Sequence, residues 1–64
     1  MNRVLELRKG RGWRQVDLAR RAKVSPRTIN ALENGRSCRR DTQRKLLLAF
    51  GLTMADREQV FGGS

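Results

Sequence analysis

Residues 15–35 have the sequence QVDLARRAKVSPRTINALENG, in which two short apolar-periodic segments are separated only by Lys23 and Val24. The second segment starts at Ser25-Pro26, a strong N-cap followed by the residue type favoured at the first helical position. It ends at Asn34-Gly35, where the glycine is free to take the left-handed conformation that closes a helix. Two helices joined by so short a turn do not pack side by side, and this stretch therefore predicts a helix-turn-helix unit.

Both helices of this unit are predicted to be amphipathic. At 100° per residue, the second helix places Ile29 and Leu32 on one side, with Glu33 at the edge of that apolar face. Its opposite side carries groups that suit base edges: arginine pairs with guanine, asparagine with adenine, and a small residue approaches a thymine methyl group. An exposed polar face needs no function by itself, but the tight turn and the basic flanks favour nucleic-acid binding. The outer face consists of Arg27, Asn30, Ala31 and Asn34, and the inner face of the preceding helix consists of Gln15, Leu18, Ala19 and Ala22.

Three further helices are predicted around this unit. The first runs from about Asn2 to Lys9, the fourth from Asp41 or Thr42 to Gly51, and the fifth from Thr53 to Val60 or Phe61. The chain of 64 residues has room for one domain. We therefore expect an all-α, compact five-helix DNA-binding domain over residues 1–61, and a flexible tail or cloning remnant over residues 62–64.

Positive charge is concentrated in the first two thirds of the chain. Of the 15 Lys and Arg residues, 12 lie in residues 1–40 together with three acids, whereas residues 41–64 contain three of each sign. The net charge of +9 is therefore confined to residues 1–40, as expected of a phosphate-binding surface. Twelve of the basic residues are arginines, which pair well with phosphate and guanine. A merely solubilising surface is the alternative.

Composition also excludes several classes of function. The chain has no histidine and one cysteine, which excludes a zinc site of the usual kind and an intramolecular disulfide. No nucleophile and base can be combined, so we expect no enzyme activity, no catalytic residue, no metal and no cofactor. The longest apolar run, Leu46–Phe50, is too short for a membrane span, and no secretory signal is visible. We expect a cytoplasmic, nucleoid-associated protein.

A longer pattern of residue types extends over nearly the whole chain. It comprises Leu7-Arg8, Gly12-Trp13-Arg14-Gln15, Leu18-Ala19, Val24-Ser25, Thr28-Ile29, Leu32-Glu33-Asn34-Gly35, Thr42 to Leu46, Ala49 to Thr53, and Phe61. Over about residues 4–61 the chain thereby resembles phage repressor and Cro-like (XRE-type) bacterial transcription regulators. The resemblance implies a lambda-repressor-like bundle whose second and third helices bind DNA.

The resemblance also implies roles for individual residues. Pro26, Arg27, Thr28 and Ala31 match base-reading positions, to which the outer-face position of Asn30 is added. Gln15, Asn34, Arg36 and Arg39 match backbone-contacting positions, and Gln15 is also expected to support a neighbouring base contact. With the surrounding polar and basic residues, the expected phosphate-contacting set is Arg11, Arg14, Gln15, Ser25, Asn34, Arg36, Arg39 and Arg40. Arg8 and Glu33 are expected to form a structural ion pair; a free phosphate contact by Arg8 is the alternative.

Some residues depart from the family pattern or need a separate interpretation. Lys23 stands where glycine is usual, so a left-handed or nearby conformation is expected there. Arg14 replaces the usual capping residue of the second helix, and Gln43 stands where an apolar residue is expected. Trp13 is interpreted as a lid over the junction of the first two helices. Cys38 lies in a basic loop, which lowers thiol pKa values, but we favour an incidental exposed thiol.

These features predict a sequence-specific regulator of duplex DNA, a repressor of bacterial or phage type. We expect a homodimer formed through the fourth and fifth helices and bound to an inverted repeat. The alternatives are a protein-interaction module such as an antitoxin, whose partner would use the same two helices, and the DNA-binding domain of a longer regulator. RNA binding is a weaker alternative because the basic region has few aromatic residues. A membrane-active peptide is weaker still, because Pro26, Gly35 and Gly51 interrupt any long amphipathic stripe.

Overall fold

The computed structural model describes residues 2–62, which contain helices and turns but no β-strand. The elements are α1 (Val4–Gly10), α2 (Gln15–Ala22), α3 (Pro26–Glu33), α4 (Arg40–Ala49), a 3₁₀ turn (Met54–Asp56) and α5 (Arg57–Phe61). This confirms the predicted all-α fold of five helices. Within this part of the chain, no helix has both the length and the apolar character that a membrane span requires. Apart from Gly62, the predicted tail lies outside the described residues.

A single apolar core holds the five helices together. Each core side chain is at most 3% exposed, and α2 and α3 contribute the faces predicted from periodicity. No helix in the described part of the chain exceeds ten residues. An isolated helix of this length is marginal in water, so the elements depend on this shared core. The core residues are Val4, Leu18, Ala19, Ala22, Ile29, Leu32, Leu46, Leu47, Phe50 and Val60.

The connection between α2 and α3 has the predicted local structure. Lys23 ends α2 with φ 59° and ψ 43°, the left-handed conformation expected for a residue in a glycine position. Ser25 is the N-cap of α3, where its Oγ accepts a hydrogen bond from the Thr28 backbone N–H at 3.1 Å. Gly35 follows α3 with φ 92°. The start and the end of α3 are therefore set by short-range chemistry.

Three of the helices have bounds that differ from the predicted ones. Helix α1 starts at Val4 instead of Asn2, because the Asn2 Oδ1 accepts from the Val4 N–H at 3.0 Å and so caps the helix from outside. It also runs through Gly10 instead of stopping before it. Helix α4 starts at Arg40, before the predicted Asp41, because Arg39 already has the extended conformation of an N-cap. Helix α5 starts at Arg57 instead of Thr53 and is preceded by a 3₁₀ turn, which begins at a capping box formed by Thr53 and Asp56.

Candidate nucleic-acid interface

The five residues predicted to read bases all lie on α3. Because Ile29 and Leu32 are buried, the opposite side of this helix faces solvent. The fixed start of α3 and its two apolar anchors give the outer face a defined position on the domain. On this helix Pro26, Arg27 and Asn30 are exposed, and Thr28 and Ala31 are half-buried.

The first turn of α3 is held by two hydroxyl groups. The Ser25 Oγ lies 3.0 Å from the Thr28 Oγ1, in addition to accepting from the Thr28 backbone N–H. These bonds orient the Thr28 side chain at the N-terminal end of the outer face. At the other end, Asn34 is the C-cap, and its Nδ2 donates to the Asn30 backbone carbonyl at 2.9 Å.

The acids of the basic region are all neutralised by neighbouring arginines. Glu6 pairs with Arg3 at 3.0 Å, Asp17 with Arg14 at 3.2 Å, and Glu33 with Arg8. Nine cations of residues 2–40 are left without an ion pair, and they give this part of the domain its uncompensated charge. They are Lys9, Arg11, Arg20, Arg21, Lys23, Arg27, Arg36, Arg39 and Arg40.

Arg8 and Glu33 form an ion pair between α1 and α3. The Arg8 Nη2 donates to the Glu33 Oε1 at 3.1 Å, the Nε donates to the Oε2, and the Nη1 donates to the Trp13 carbonyl at 2.7 Å. The two side chains are only 12% and 7% exposed. Burial raises the pKa of Glu33, but the hydrogen bonds from Arg8 and Gln15 outweigh it, so the net pKa lies below its ordinary value and the carboxylate stays ionised.

Gln15 connects this ion pair to the outer face of α3. Its Nε2 donates to the Glu33 Oε1 at 2.9 Å and to the Asn30 Oδ1 at 3.3 Å. Gln15 is the first residue of α2, and periodicity had already placed it on the inner face of that helix. The structure therefore places Gln15 next to Asn30, one of the residues expected to read bases.

The basic residues predicted to contact phosphate fall into two groups. Arg36, Arg39 and Arg40 follow α3, are exposed, and make no ion pair or side-chain hydrogen bond within residues 2–62. Arg14 and Arg11 are engaged by the protein. The Asp17 carboxylate accepts from the Arg14 side chain and from its backbone N–H, which lowers the pKa of Asp17. The backbone bond forms the acidic half of a capping box at the start of α2.

Arg11 belongs to an aromatic cluster at the C-terminal end of α4. Its Nη2 donates to the Phe50 carbonyl, and its guanidinium lies 5.1 Å from the Phe50 ring centroid. The Trp13 and Phe50 rings are stacked with centroids 5.9 Å apart, and the Arg21 guanidinium lies 4.4 Å from the Trp13 centroid. The half-buried Trp13 thus packs the α1–α2 loop against the C-terminal end of α4. Arg21 lies outside the inner face predicted for α2, so periodicity offered no signal of this contact.

The interpretation of Cys38 as an exposed thiol is wrong. Cys38 is half-buried and packs against the core, and this burial raises the pKa of its thiol instead of lowering it. The unexpected Gln43 is also half-buried, and both residues line a cleft of about 280 Å³ beside Leu32 and Phe61. The basic side chains nearby in the sequence therefore do not determine the environment of this sulfur.

Comparison with known proteins agrees with this geometry. The family model described as Helix-turn-helix, which covers regulators of the Cro/C1 (XRE) type, matches residues 4–57. Neither the search of curated proteins nor the search of solved structures found a match. The matched residues include α1 to α4 and the 3₁₀ turn, and the five-helix domain fits a lambda-repressor-like fold.

Proposed function

Since this chain belongs to the helix-turn-helix family of Cro/C1-type (XRE) DNA-binding regulators, we propose that it represses transcription by binding a specific duplex sequence with the outer face of α3. One observation carries the proposal: α3 is anchored by its buried side, while Arg27 and Asn30 are exposed on the other. A helix presented in this way fits the major groove, where base edges differ in their donors and acceptors. Such a regulator acts in the cytoplasm, on the nucleoid.

We assign phosphate contacts and base contacts to two different sets of residues. Arg36, Arg39 and Arg40 neutralise backbone phosphates next to the recognition helix, and this sets the position of the domain on the duplex. Arg27 then pairs with a guanine, since its guanidinium makes no ion pair within residues 2–62 and is free to donate to two acceptors. Gln15, Ser25 and Asn34 flank the outer face of α3 and are proposed to contact phosphates beside it.

A dimer explains how so small a DNA-binding domain recognises a useful length of DNA sequence. One helix of eight residues contacts few base pairs, whereas two copies read half-sites roughly 34 Å apart on one side of the duplex. Leu48 on α4 is 59% exposed, more than Leu5 or Val16, the other exposed large apolar residues among residues 2–62. Residues 41–64 carry no net charge, so two copies can meet through α4 and α5 without the repulsion that residues 1–40 would cause.

Selection from a randomised duplex library at about 0.15 M salt tests this function. We expect enrichment of an inverted repeat whose half-sites are one helical turn apart. Enrichment of a single half-site would contradict the dimer but would still support sequence recognition by α3. Binding that weakens with salt and enriches no sequence would contradict sequence-specific recognition, because charge alone produces that behaviour. A reporter placed behind the selected site then tests repression: expression should fall when the protein is supplied.

The exposed Leu48 also fits a protein partner, as in an antitoxin. Purification at high salt distinguishes the two assemblies, because an apolar interface survives salt that removes DNA. A second polypeptide that stays bound under these conditions would favour the antitoxin. A chain that purifies alone and sediments as a dimer on DNA would favour the homodimer.

A further inference from the structure

Four side chains form a continuous path of polar contacts from α1 to the outer face of α3. Arg8 donates to both oxygens of the Glu33 carboxylate. Gln15 donates to the Glu33 Oε1 at 2.9 Å and to the Asn30 Oδ1 at 3.3 Å. The path ends at Asn30, which is exposed on the face proposed to read bases. We call these residues the Arg8–Asn30 relay.

The Arg8–Glu33 ion pair at the inner end determines which group donates and which accepts along the relay. Glu33 is an ionised carboxylate and accepts hydrogen bonds only. Gln15 must therefore turn its amide nitrogen towards Glu33, because the opposite orientation would place the Gln15 oxygen against a negative charge. The same nitrogen also reaches Asn30, so each of its two hydrogens has an acceptor.

The orientation of Gln15 in turn sets that of Asn30. The Asn30 Oδ1 lies towards Gln15 and accepts from it. A rotation of the Asn30 amide by 180° would bring its NH₂ group against the NH₂ group of Gln15, two donors facing each other. The Asn30 Nδ2 donates to no acceptor within residues 2–62, so both of its hydrogens are available to a ligand.

We infer that Asn30 is a specificity-determining residue which donates its Nδ2–H to a base-edge acceptor, and that Gln15 is the positioning residue which holds the amide in that orientation. The acceptors of this chemistry are the purine N7, the guanine O6 and the thymine O4. Gln15 contacts Glu33 and Asn30 on α3, and of these two residues Asn30 is the exposed one, so Asn30 is the outer-face residue whose orientation Gln15 sets. This inference rests on the proposed function, because it requires that α3 enters the major groove.

Substituting single atoms of the selected duplex tests the inference. Each purine is replaced by its 7-deaza form, each guanine by 2-aminopurine, which lacks the O6, and each thymine by an analogue without the O4. Affinity is then measured for the wild type and for Asn30→Ala. We expect one acceptor whose removal weakens wild-type binding about tenfold and leaves Asn30→Ala binding unchanged. In Gln15→Ala, the effect of removing the same acceptor should fall to about threefold or less, because the released amide rotates.

Val16→Ala is the matched control, since Val16 follows Gln15 on α2, is 41% exposed and takes no part in the relay. It should keep the wild-type response to every acceptor, and thermal melting of each variant checks that the fold is retained. If the wild type binds a defined sequence but no acceptor couples to Asn30, this inference is wrong while the proposed function stands. An acceptor that couples to Asn30 equally with and without Gln15 would contradict the positioning role. A wild type that prefers no sequence would contradict both the inference and the proposed function.

Discussion

Arg27 is the exposed cation on the outer face of α3, and within residues 2–62 its guanidinium has no ion-pair partner. We predict that Arg27→Ala costs about 1–3 kcal/mol on the selected sequence and relaxes the preference at one base pair. The reason is that a bidentate arginine–guanine contact distinguishes that base from the other three. Fluorescence anisotropy with duplexes substituted at each position measures both effects.

Arg39→Ala is the comparison for Arg27→Ala. Arg39 also makes no ion pair within residues 2–62, but it precedes α4 as the N-cap residue of that helix. It should weaken binding to all duplexes alike and reduce the slope of log K against log salt by about 1. If Arg27→Ala behaves in the same way as Arg39→Ala, the assignment of Arg27 to a base is wrong.

The Arg8–Glu33 ion pair predicts a dependence of stability on pH. The folded-state pKa of Glu33 lies below the ordinary value of 4.5, so its stabilising contribution is present above that pH and is lost as the pH falls below it. We predict that Glu33→Gln lowers the free energy of unfolding by about 2 kcal/mol near neutral pH, because Arg8 loses its counter-ion in a largely buried site. In urea titrations, the difference between wild type and variant should shrink as the pH falls below 4.5.

Glu6→Gln provides the control for this effect. The hydrogen bond from Arg3 lowers the pKa of Glu6 as well, but both side chains are more than half exposed, and solvent screens such a pair. No measurable loss of stability is expected from Glu6→Gln. Equal losses from the two glutamate variants would contradict the special role given to Glu33.

Most helices were predictable because their signals are local. The limits of α2 and the Ser25-Pro26 start of α3 depend on periodicity and capping, and both are found as predicted. The start of α1 was missed because the Asn2 side chain caps from outside the helix and also donates to the Leu32 carbonyl at 2.8 Å, a contact across 30 residues. Periodicity within one segment carries no information about such a partner.

The same distinction separates the predictable part of the candidate site from the rest. The outer face of α3 follows from one helical wheel and needs no tertiary structure. The stacking of Trp13 on Phe50 and the hydrogen bond from Gln15 to Asn30 depend on how separate elements pack, so sequence alone could not establish them. Cys38 was misjudged for this reason: its half-buried position comes from packing against the core, which the basic residues around it do not reveal.

The turn between α2 and α3 predicts a stabilising substitution. Lys23 has a left-handed backbone, which costs a non-glycine residue roughly 1 kcal/mol. Lys23→Gly should therefore raise the free energy of unfolding by up to about 1 kcal/mol, and Lys23→Val should lower it, because a branched side chain fits this conformation worst. Chemical unfolding without DNA measures both. Arg20→Gly, inside α2, should instead lose about 1 kcal/mol, and the same sign at both positions would contradict this account.

Within the described residues, the domain separates its net charge from its most exposed large apolar side chain. Residues 1–40 carry the net charge of +9, whereas Leu48 projects from α4 in the neutral part of the chain. We predict that Leu48→Asp abolishes dimer formation on the inverted repeat and leaves the affinity for a single half-site within about threefold of the wild type. The introduced carboxylate would have to be desolvated in the dimer interface. Sedimentation of the protein–DNA complexes measures the number of bound copies.

Leu5→Asp provides the matched change elsewhere on the domain, because Leu5 is also exposed, at 36%, but lies on α1. It should leave the stoichiometry on the inverted repeat at two copies. Loss of the second copy from both variants, or from neither, would contradict an interface built on α4.

The central claim is that the outer face of α3 lies in the major groove, and intermolecular NOEs between the protein and its selected duplex test it most directly. We predict NOEs from the side chains of Arg27, Thr28 and Ala31 to protons that only the major groove exposes, such as cytosine H5 and the thymine methyl group. Contacts from α3 restricted to sugar protons, or contacts with DNA made only by other helices, would contradict the claim.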